Sequence, residues 1–414
     1  MRKFLLATAS FLPLLAITPS DAIAAECDCC REYLTGDMFG ARSGLAEHGV
    51  VADLQLTQFY QDVASGGAEQ LDAYGGKLDY FFTFAKGFAV LHAETRFGED
   101  VIVDAAGGAP VNANMLYPGL ENTTAITGLQ FNLPLTRDEE WIATFGKINT
   151  LDLIYALYPQ TGRGVDGFMN ASVFLPLTVV RTLPLSFLGA GVMKTHEGQI
   201  QGSLLVYDSH NVPTTSGFDE LFTNGANIAG MWRFFTEFGE LPGSHLFLGT
   251  WATGTFTSLD PSGWAFLPGI GVLPAESSSS WSLLYILEQK LWVDPCREKR
   301  HIGLLSKWGL ADPQTCPYEW TCNVQLQAQG LIACREQDTM GVGYFYSGLS
   351  GDLKEFFAAR PLAPDLRDLQ GAELYYNAAI TPWFHLTADM QFVEPSDSRR
   401  DTAVVLGLRA KIDI

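Results

Sequence analysis

The end of the chain alternates without a break: Val404, Leu406, Leu408, Ala410, Ile412 and Ile414 are apolar, while Arg409, Lys411 and Asp413 hold the other parity. Extended backbone sends successive side chains to opposite faces, so this segment is a strand with one apolar and one charged face. Such a strand needs apolar surroundings on one side and water on the other. A closed β-wall in a membrane meets that demand. A soluble β-sandwich, which buries its apolar face and wets the other, is the competing architecture.

The beginning of the chain bears on the choice. Arg2 and Lys3, the mostly apolar stretch Phe4 to Ile17, and the small-x-small site Ala22-Ile23-Ala24 read as a secretory signal peptide over residues 1–24. Beyond it there is no run of 18 or more apolar residues, which excludes a bundle of transmembrane helices. Hydrophobicity spread over alternate positions, with 41 Gly and 12% aromatic residues, suits a membrane β-barrel. The net charge of −20 argues against nucleic acid as a partner.

Alternation recurs along the chain. Polar residues share one parity in Asp53, Gln55 and Thr57, in Lys77 and Asp79, in His92, Glu94 and Arg96, in Thr321, Asn323, Gln325, Gln327 and Gln329, in Glu373, Tyr375 and Asn377, and in His385, Thr387, Asp389 and Gln391. From Val50 onward we count about sixteen strands, joined alternately by short turns and long loops. Short turns fall near Lys86-Gly87, Thr136 to Asp138, Thr195 to Glu197, Glu240 to Gly243, Pro295 to Arg297, Cys334 to Glu336 and Thr381 to Trp383; these should face the periplasm. Long connections fall near Gly98 to Glu121, Ile148 to Pro184, Ser209 to Asn224, Ser258 to Ser278 and Ser350 to Gln370; these should face outward. The expected organisation is all-β: a periplasmic segment over 25–49 and a transmembrane antiparallel β-barrel over 50–414. Trp141, Trp281, Trp292, Trp308, Trp320 and Trp383 fall near strand ends, where indoles favour the membrane interface.

Seven cysteines in an exported chain favour disulfides over metal chemistry, and no paired Cys-x-x-Cys or Cys/His spacing suggests a metal or cofactor. Strand parity puts Cys296 and Cys334 on periplasmic turns beside Cys27, Cys29 and Cys30, with Cys316 and Cys322 around an external loop. The expected bridges are Cys316 to Cys322, and a link from the N-terminal cluster to Cys296 or Cys334.

Particular residues resemble a known family. Leu34 to Arg42 with Leu45 and Gly49, then Tyr74-x-Gly76-x-Leu78-Asp79, Gly146-Lys147-Ile148-Asn149-x-x-Asp152, Asp338 to Tyr344, and the closing blocks Glu373 to Tyr376, Thr381-Pro382-Trp383, Asp389-Met390-Gln391 and Gly407-Leu408-Arg409 resemble, in order, the carbohydrate-selective porins of the OprB type. Met38-Phe39 stands where a Trp-Gly pair is usual, and Ile414 where Phe is the common ending. The resemblance implies a sixteen-stranded outer-membrane barrel that passes sugars by diffusion.

A barrel of that size encloses a lumen too wide for wall side chains to fill, so selectivity needs something to narrow it. The connection Ile148 to Pro184 is long for an unstructured loop. Folded inward, it would form a constriction lined by Asn149, Asp152, Arg163, Asp166, Asn170 and Arg181, with Phe174 to Leu177 packed on the wall; an exposed lid is the alternative. Wall candidates facing the lumen are Lys77, Asp79, His92, Glu94, Arg96, Lys147, Glu373, Asp389 and Arg409, and Tyr155, Tyr158 and Phe168 offer aromatic faces for a sugar ring.

Closely spaced donors and acceptors with aromatic surface suit weak, short-lived binding of hydroxyl-rich solutes. The expected function is therefore passive, substrate-selective diffusion of carbohydrates through the outer membrane; the alternative is a general porin for cations or small polar nutrients. The acidic charge disfavours organic anions. An enzyme would need a catalytic set, and neither Gly-x-Ser-x-Gly nor His-Glu-x-x-His occurs. Expected partners are sugars as solutes, outer-membrane lipid, and the barrel-assembly machinery through the C-terminal strand.

Overall fold

The computed structural model describes residues 31–101, 122–267, 271–358, 360 and 363–414. The expected signal peptide, Cys27, Cys29, Cys30 and most of the connection from Gly98 to Glu121 lie outside the described residues. The strands are β1 (Val50–Gly67), β2 (Asp72–Phe84), β3 (Ala89–Gly98), β4 (Thr123–Pro134), β5 (Trp141–Asn149), β6 (Ser186–His196), β7 (Gln199–Asp208), β8 (Ala226–Phe238), β9 (Leu241–Thr257), β10 (Ala265–Leu267), β11 (Gly271–Leu273), β12 (Glu276–Asp294), β13 (Arg297–Ala311), β14 (Tyr318–Gln329), β15 (Thr339–Leu349), β16 (Leu369–Thr381), β17 (Phe384–Glu394) and β18 (Asp401–Asp413). All but the small β10–β11 hairpin join one closed antiparallel barrel, each strand pairing with its neighbour and β1 closing on β18. That makes sixteen barrel strands, as the alternation indicated, and all seven expected short turns lie at one end. Closure removes unpaired strand edges, which no lipid could satisfy.

The outer face is apolar. Leu204, Phe247, Leu283, Trp308, Leu310 and Leu408 stand about half exposed around the wall. The opposite parity turns inward: Thr57, Lys77, His92, Glu94, Asn323, Glu373, Asn377, Thr387, Gln391 and Arg409 are all buried. One irregularity matters. β4 bulges at Thr127, where its pairing with β3 steps from His92–Gly128 to Ala93–Ile126, whereas β5 keeps its register, so Lys147 shares the outward parity of the exposed Phe145 and is buried under the connection after β7. Gly146, at φ 120°, lies at a close approach of β4, where a Cβ would stand 2.3 Å from the Leu129 carbonyl oxygen.

The segment before β1 fastens the barrel seam at the short-turn end. Its helix α1 (Ala41–Glu47) is short, but the Leu34 N–H donates to Asp413 O at 2.8 Å, and Arg42 donates to Ala52 O at 2.7 Å and to the carbonyl of Ile414. Both strands that meet at the seam are thereby held by one guanidinium.

The long connection after β5 folds into the lumen instead of covering it. It carries helices α2 (Thr150–Leu157) and α3 (Ala171–Phe174) and 3-10 turns at Pro159–Gly164 and Leu177–Val179. Two apolar contacts draw it down. Leu157, Tyr158 and Val179 pack on Met231, Leu246, Leu284, Ile286 and Leu305, an arc of wall whose inner face is apolar too. Phe168, Val173 and Leu177 pack on Tyr318, Phe345 and Tyr375. Phe174 is buried, as expected for the stretch Phe174 to Leu177, but Tyr158 and Phe168 are sealed within these contacts rather than offered to solute. The last helix is α4 (Gly351–Ala358), in the external connection between β15 and β16.

The expected Cys316 to Cys322 bridge is not formed; both are free thiols. Cys316 is buried 3.9 Å from the Thr178 carbonyl on the lumen side, whereas Cys322 pairs across the sheet with Trp308, on the membrane face. The wall stands between them. Cys296 and Cys334 are free and exposed on short turns.

Candidate functional site: a charged row between wall and loop

The inward parity of β2 and β3 places Lys77, Asp79, His92, Glu94 and Arg96 side by side, since Lys77 is opposite Arg96 and Asp79 opposite Glu94. Lys77 Nζ lies 3.0 Å from Asp79 Oδ1, and Arg96 Nη2 lies 2.7 Å from Glu94 Oε2. His92 turns Nε2 to Asp79 at 2.9 Å and Nδ1 to Asp152 at 2.8 Å, tying the wall to α2 of the loop. Asn149 joins the row twice over. Its side-chain oxygen caps α2 through the Leu151 N–H at 2.9 Å, and its amide donates to Thr127 at 3.0 Å, which donates to Glu94 at 3.2 Å.

The row ends at Arg163, whose Nε meets Asp152 Oδ1 at 2.6 Å. The guanidinium lies 4.5 Å from the Phe81 ring centre and 3.8 Å from that of Tyr155, a stacking arrangement suited to its flat, weakly hydrated cation. Asp152 and Arg163 each keep 22% of their side chain exposed, against 1–2% for the wall residues, so the solvent-facing end of the row is here. Burial would raise the Asp152 carboxyl, but the facing His92 and Arg163 hold it below the usual carboxylate range. Lys77, His92, Arg96 and Arg163 face three carboxylates, Asp79, Glu94 and Asp152, so the row carries dense donors and acceptors with its charges nearly balanced.

Asp79, His92 and Glu94 bring ligand atoms within 4.8 Å of one another. Lys77 and Arg96 already take their carboxylate oxygens, and a metal cation would have to displace both.

The other expected residues go elsewhere. Glu373 accepts the N–H groups of Met169 and Asn170, and Arg409 donates to Gly164 O at 2.6 Å and Gly167 O at 2.7 Å. Asp166 meets Lys411 at 3.1 Å, and Asn170 donates to Gln391 at 2.9 Å, beside Asp389. This second group grips the loop from β16, β17 and β18. Arg181 sits over Phe256, in a cavity of about 450 Å³ toward the long-loop end that Leu175, Leu183, Asn211 and Tyr318 also line. Lys147 donates to backbone carbonyls of the connection after β7.

Sequence reasoning passed over Phe81, although it shares the parity of Lys77 and Asp79. It also missed Arg233, which donates to Leu157 O at 3.1 Å and pairs with Glu288 at 2.7 Å beside a cavity of about 900 Å³ at the short-turn end. The exposed Trp232 and Phe234 on either side of it are the available signal.

The family model described as carbohydrate-selective porin, OprB family, matches residues 139–414. This chain belongs to that family. No curated protein matches the sequence. Among solved structures, the high-pH structure of Pseudomonas putida OprB aligns at TM-score 0.79 with 18% identity over 93% of this chain and 99% of that one. The low-pH structure of the same protein aligns at TM-score 0.57 with 13% identity over the same shares. An OprB-family carbohydrate-selective porin is a channel of the outer membrane, and the sixteen-stranded barrel with its half-exposed apolar belt is the wall of one.

Proposed function

We propose that sugars cross this porin along the charged row, from the cavity beside Arg181 to the cavity beside Arg233 and Glu288. The observation that carries this reading is the composition of the row at its accessible end, where Asp152 and Arg163 lie against Phe81 and Tyr155. A sugar hydroxyl donates and accepts, so it exchanges bonds with the carboxylate and the guanidinium in turn. The aromatic faces meet the apolar face of the ring. With charges nearly balanced, neutral solutes are held without a strong trap, which release requires.

The same reading includes export through the leader 1–24, lipid against the exposed apolar belt, and insertion by the assembly machinery through β18. Binding is tested by sugar-induced current fluctuation in planar bilayers. Arg163→Gln and Asp152→Asn should each weaken monosaccharide affinity about tenfold, the loss matching one charged hydrogen bond of roughly 1.4 kcal/mol. Unchanged affinity in both variants would move the route away from this row.

A further inference from the structure

Glycines on the outward parity of the wall are of two kinds. Gly76, Gly202 and Gly348 each lie under a neighbouring ring, and a Cβ there would run into Phe97, Trp232 and Trp320 respectively. The chain itself fills those gaps. Gly230, between the exposed Ile228 and Trp232, and Gly249, between the exposed Phe247 and Trp251, are bare. A Cβ at Gly230 would find nothing closer than Leu204 at 3.8 Å, and one at Gly249 nothing closer than Leu283 at 3.5 Å. The two glycines are cross-strand partners on β8 and β9, so their gaps merge into one. A glycine inside a strand often marks where another molecule comes close to the backbone.

That gap is the floor of a groove of about 770 Å³ on the membrane face. Its side is a ledge of rings in register on four neighbouring strands: Trp232 opposite Phe247, Phe247 opposite Tyr285, and Tyr285 opposite Trp308. The polar tips are engaged outside the groove. Trp308 Nε1 donates to Ser306 at 2.8 Å, and the Tyr285 hydroxyl lies 2.8 Å from His245 Nδ1. The groove is left with hydrocarbon and ring faces, so water inside it would lack partners, and an empty groove would forfeit dispersion contacts along its lining. Its position adds a second feature. Met231, Leu248 and Leu284 line the groove from the wall, and the same three residues receive Leu157, Tyr158 and Val179 of the long loop on the lumen side. A single layer of strand separates the groove from the loop's apolar anchorage.

We infer that this groove binds one acyl chain of a membrane lipid, which stays with the barrel instead of exchanging with the surrounding bilayer and backs the wall where the loop is anchored. The occupant follows from continuity. Leu204, Phe247, Leu283, Trp308 and Leu310, which rim or line the groove, belong to the half-exposed belt that lipid already covers. A second copy of the barrel would have to displace that lipid before reaching the floor; a chain of the lipid itself only has to settle inward. A narrow, flexible hydrocarbon lies over two bare glycines and buries its methylenes against backbone and rings together. The site requires no particular solute and is independent of the sugar route.

The experiment is native mass spectrometry of the full-length porin in detergent micelles, titrated with dioleoyl phosphatidylethanolamine. Gly230→Leu combined with Gly249→Leu fills the floor with the chain's own side chains, and the open space above both positions admits them. Wild type should retain a lipid at low lipid-to-protein ratio, and the double variant should bind it roughly tenfold more weakly, because the methylenes lose the surface they were buried against. Gly230→Leu alone, at the more open of the two positions, should show most of that loss. Val206→Leu adds bulk to the same belt in register with Ile228, outside the groove, and should bind as wild type does. Added lipid should also raise the temperature at which the wild-type folded band converts on gels, since a ligand of the folded state stabilises it, and should leave the double variant unmoved. Equal lipid retention by wild type and Gly230→Leu, in barrels shown to be folded, would overturn the site. Wild-type dimers or trimers that the same substitution dissolves would overturn it too, because the occupant would then be a second copy of this chain.

Discussion

The carboxylate of Glu373 on β16 accepts the backbone N–H of Asn170 at 3.0 Å, joining the barrel's late wall to a loop 203 residues earlier in the chain. The N–H of Met169 reaches the same carboxylate, and Arg409 grips the carbonyls on the N-terminal side of that stretch. An acceptor and a donor side chain thus hold opposite backbone groups of one segment. Glu373→Gln keeps one acceptor oxygen and turns a donor toward an N–H. We expect a loss of about 1–3 kcal/mol in loop anchoring, the cost of a buried N–H left without its acceptor. It would be read as added current noise and a larger solute cutoff in a barrel that still migrates as folded. A quiet channel with an unchanged cutoff would place the anchor elsewhere.

Asp152 gives a pH dependence with a definite sign. Its carboxyl sits below the ordinary 3.8 because His92 and Arg163 outweigh its burial. A depressed carboxyl stabilises the fold above its unfolded value and loses that contribution as pH falls through the folded one. Loop anchoring at α2 should therefore hold at neutral pH and weaken below about pH 4. The difference in thermal stability between wild type and Asp152→Asn, followed from pH 7 to pH 3, should shrink toward zero. A difference that stayed constant would remove Asp152 from the linkage.

Much of the fold is legible in alternation, because parity reports which face a residue occupies, and a wall between lipid and water makes the faces unlike. The polar parity of β2, β3, β16, β17 and β18 all turns inward as read. Parity does not report what comes to lie against that face. Arg163 and Arg409 are both cations on the lumen side, yet one ends the charged row and the other clamps Gly164 and Gly167. Met231, Leu246, Leu284 and Ile286 lie opposite equally apolar lipid-facing residues, so their strands carry no alternation to read until the loop is seen to cover them. Cys316 and Cys322 are close in sequence and fall on opposite sides of the wall.

Gly146 marks a close approach of β5 to β4. A Cβ there would collide with Leu129 O at 2.3 Å, and φ 120° is strained for any L side chain. Gly146→Val should cost roughly 1–3 kcal/mol for backbone strain, seen as a lower temperature at which the folded band converts on gels. It should also disturb its neighbours Lys147 and Asn149. Wild-type stability in this variant would mean that the backbone at this position relaxes freely.

The thiols test orientation. Cys296 and Cys334 are exposed on short turns, whereas Cys316 is buried. After reduction, a membrane-impermeant maleimide should label Cys296 and Cys334 only once the outer membrane is permeabilised. Labelling in intact cells would invert the barrel.

The central claim is that the charged row selects neutral sugars. Proteoliposome swelling with neutral monosaccharides, short oligosaccharides, amino acids and phosphorylated sugars measures it directly. The nearly balanced charges of Lys77, Asp79, His92, Glu94, Arg96, Asp152 and Arg163 predict the fastest swelling with monosaccharides, slower swelling with oligosaccharides, and the slowest with phosphorylated sugars. Rates that follow solute mass alone, equal for a sugar and an amino acid of the same size, would contradict it.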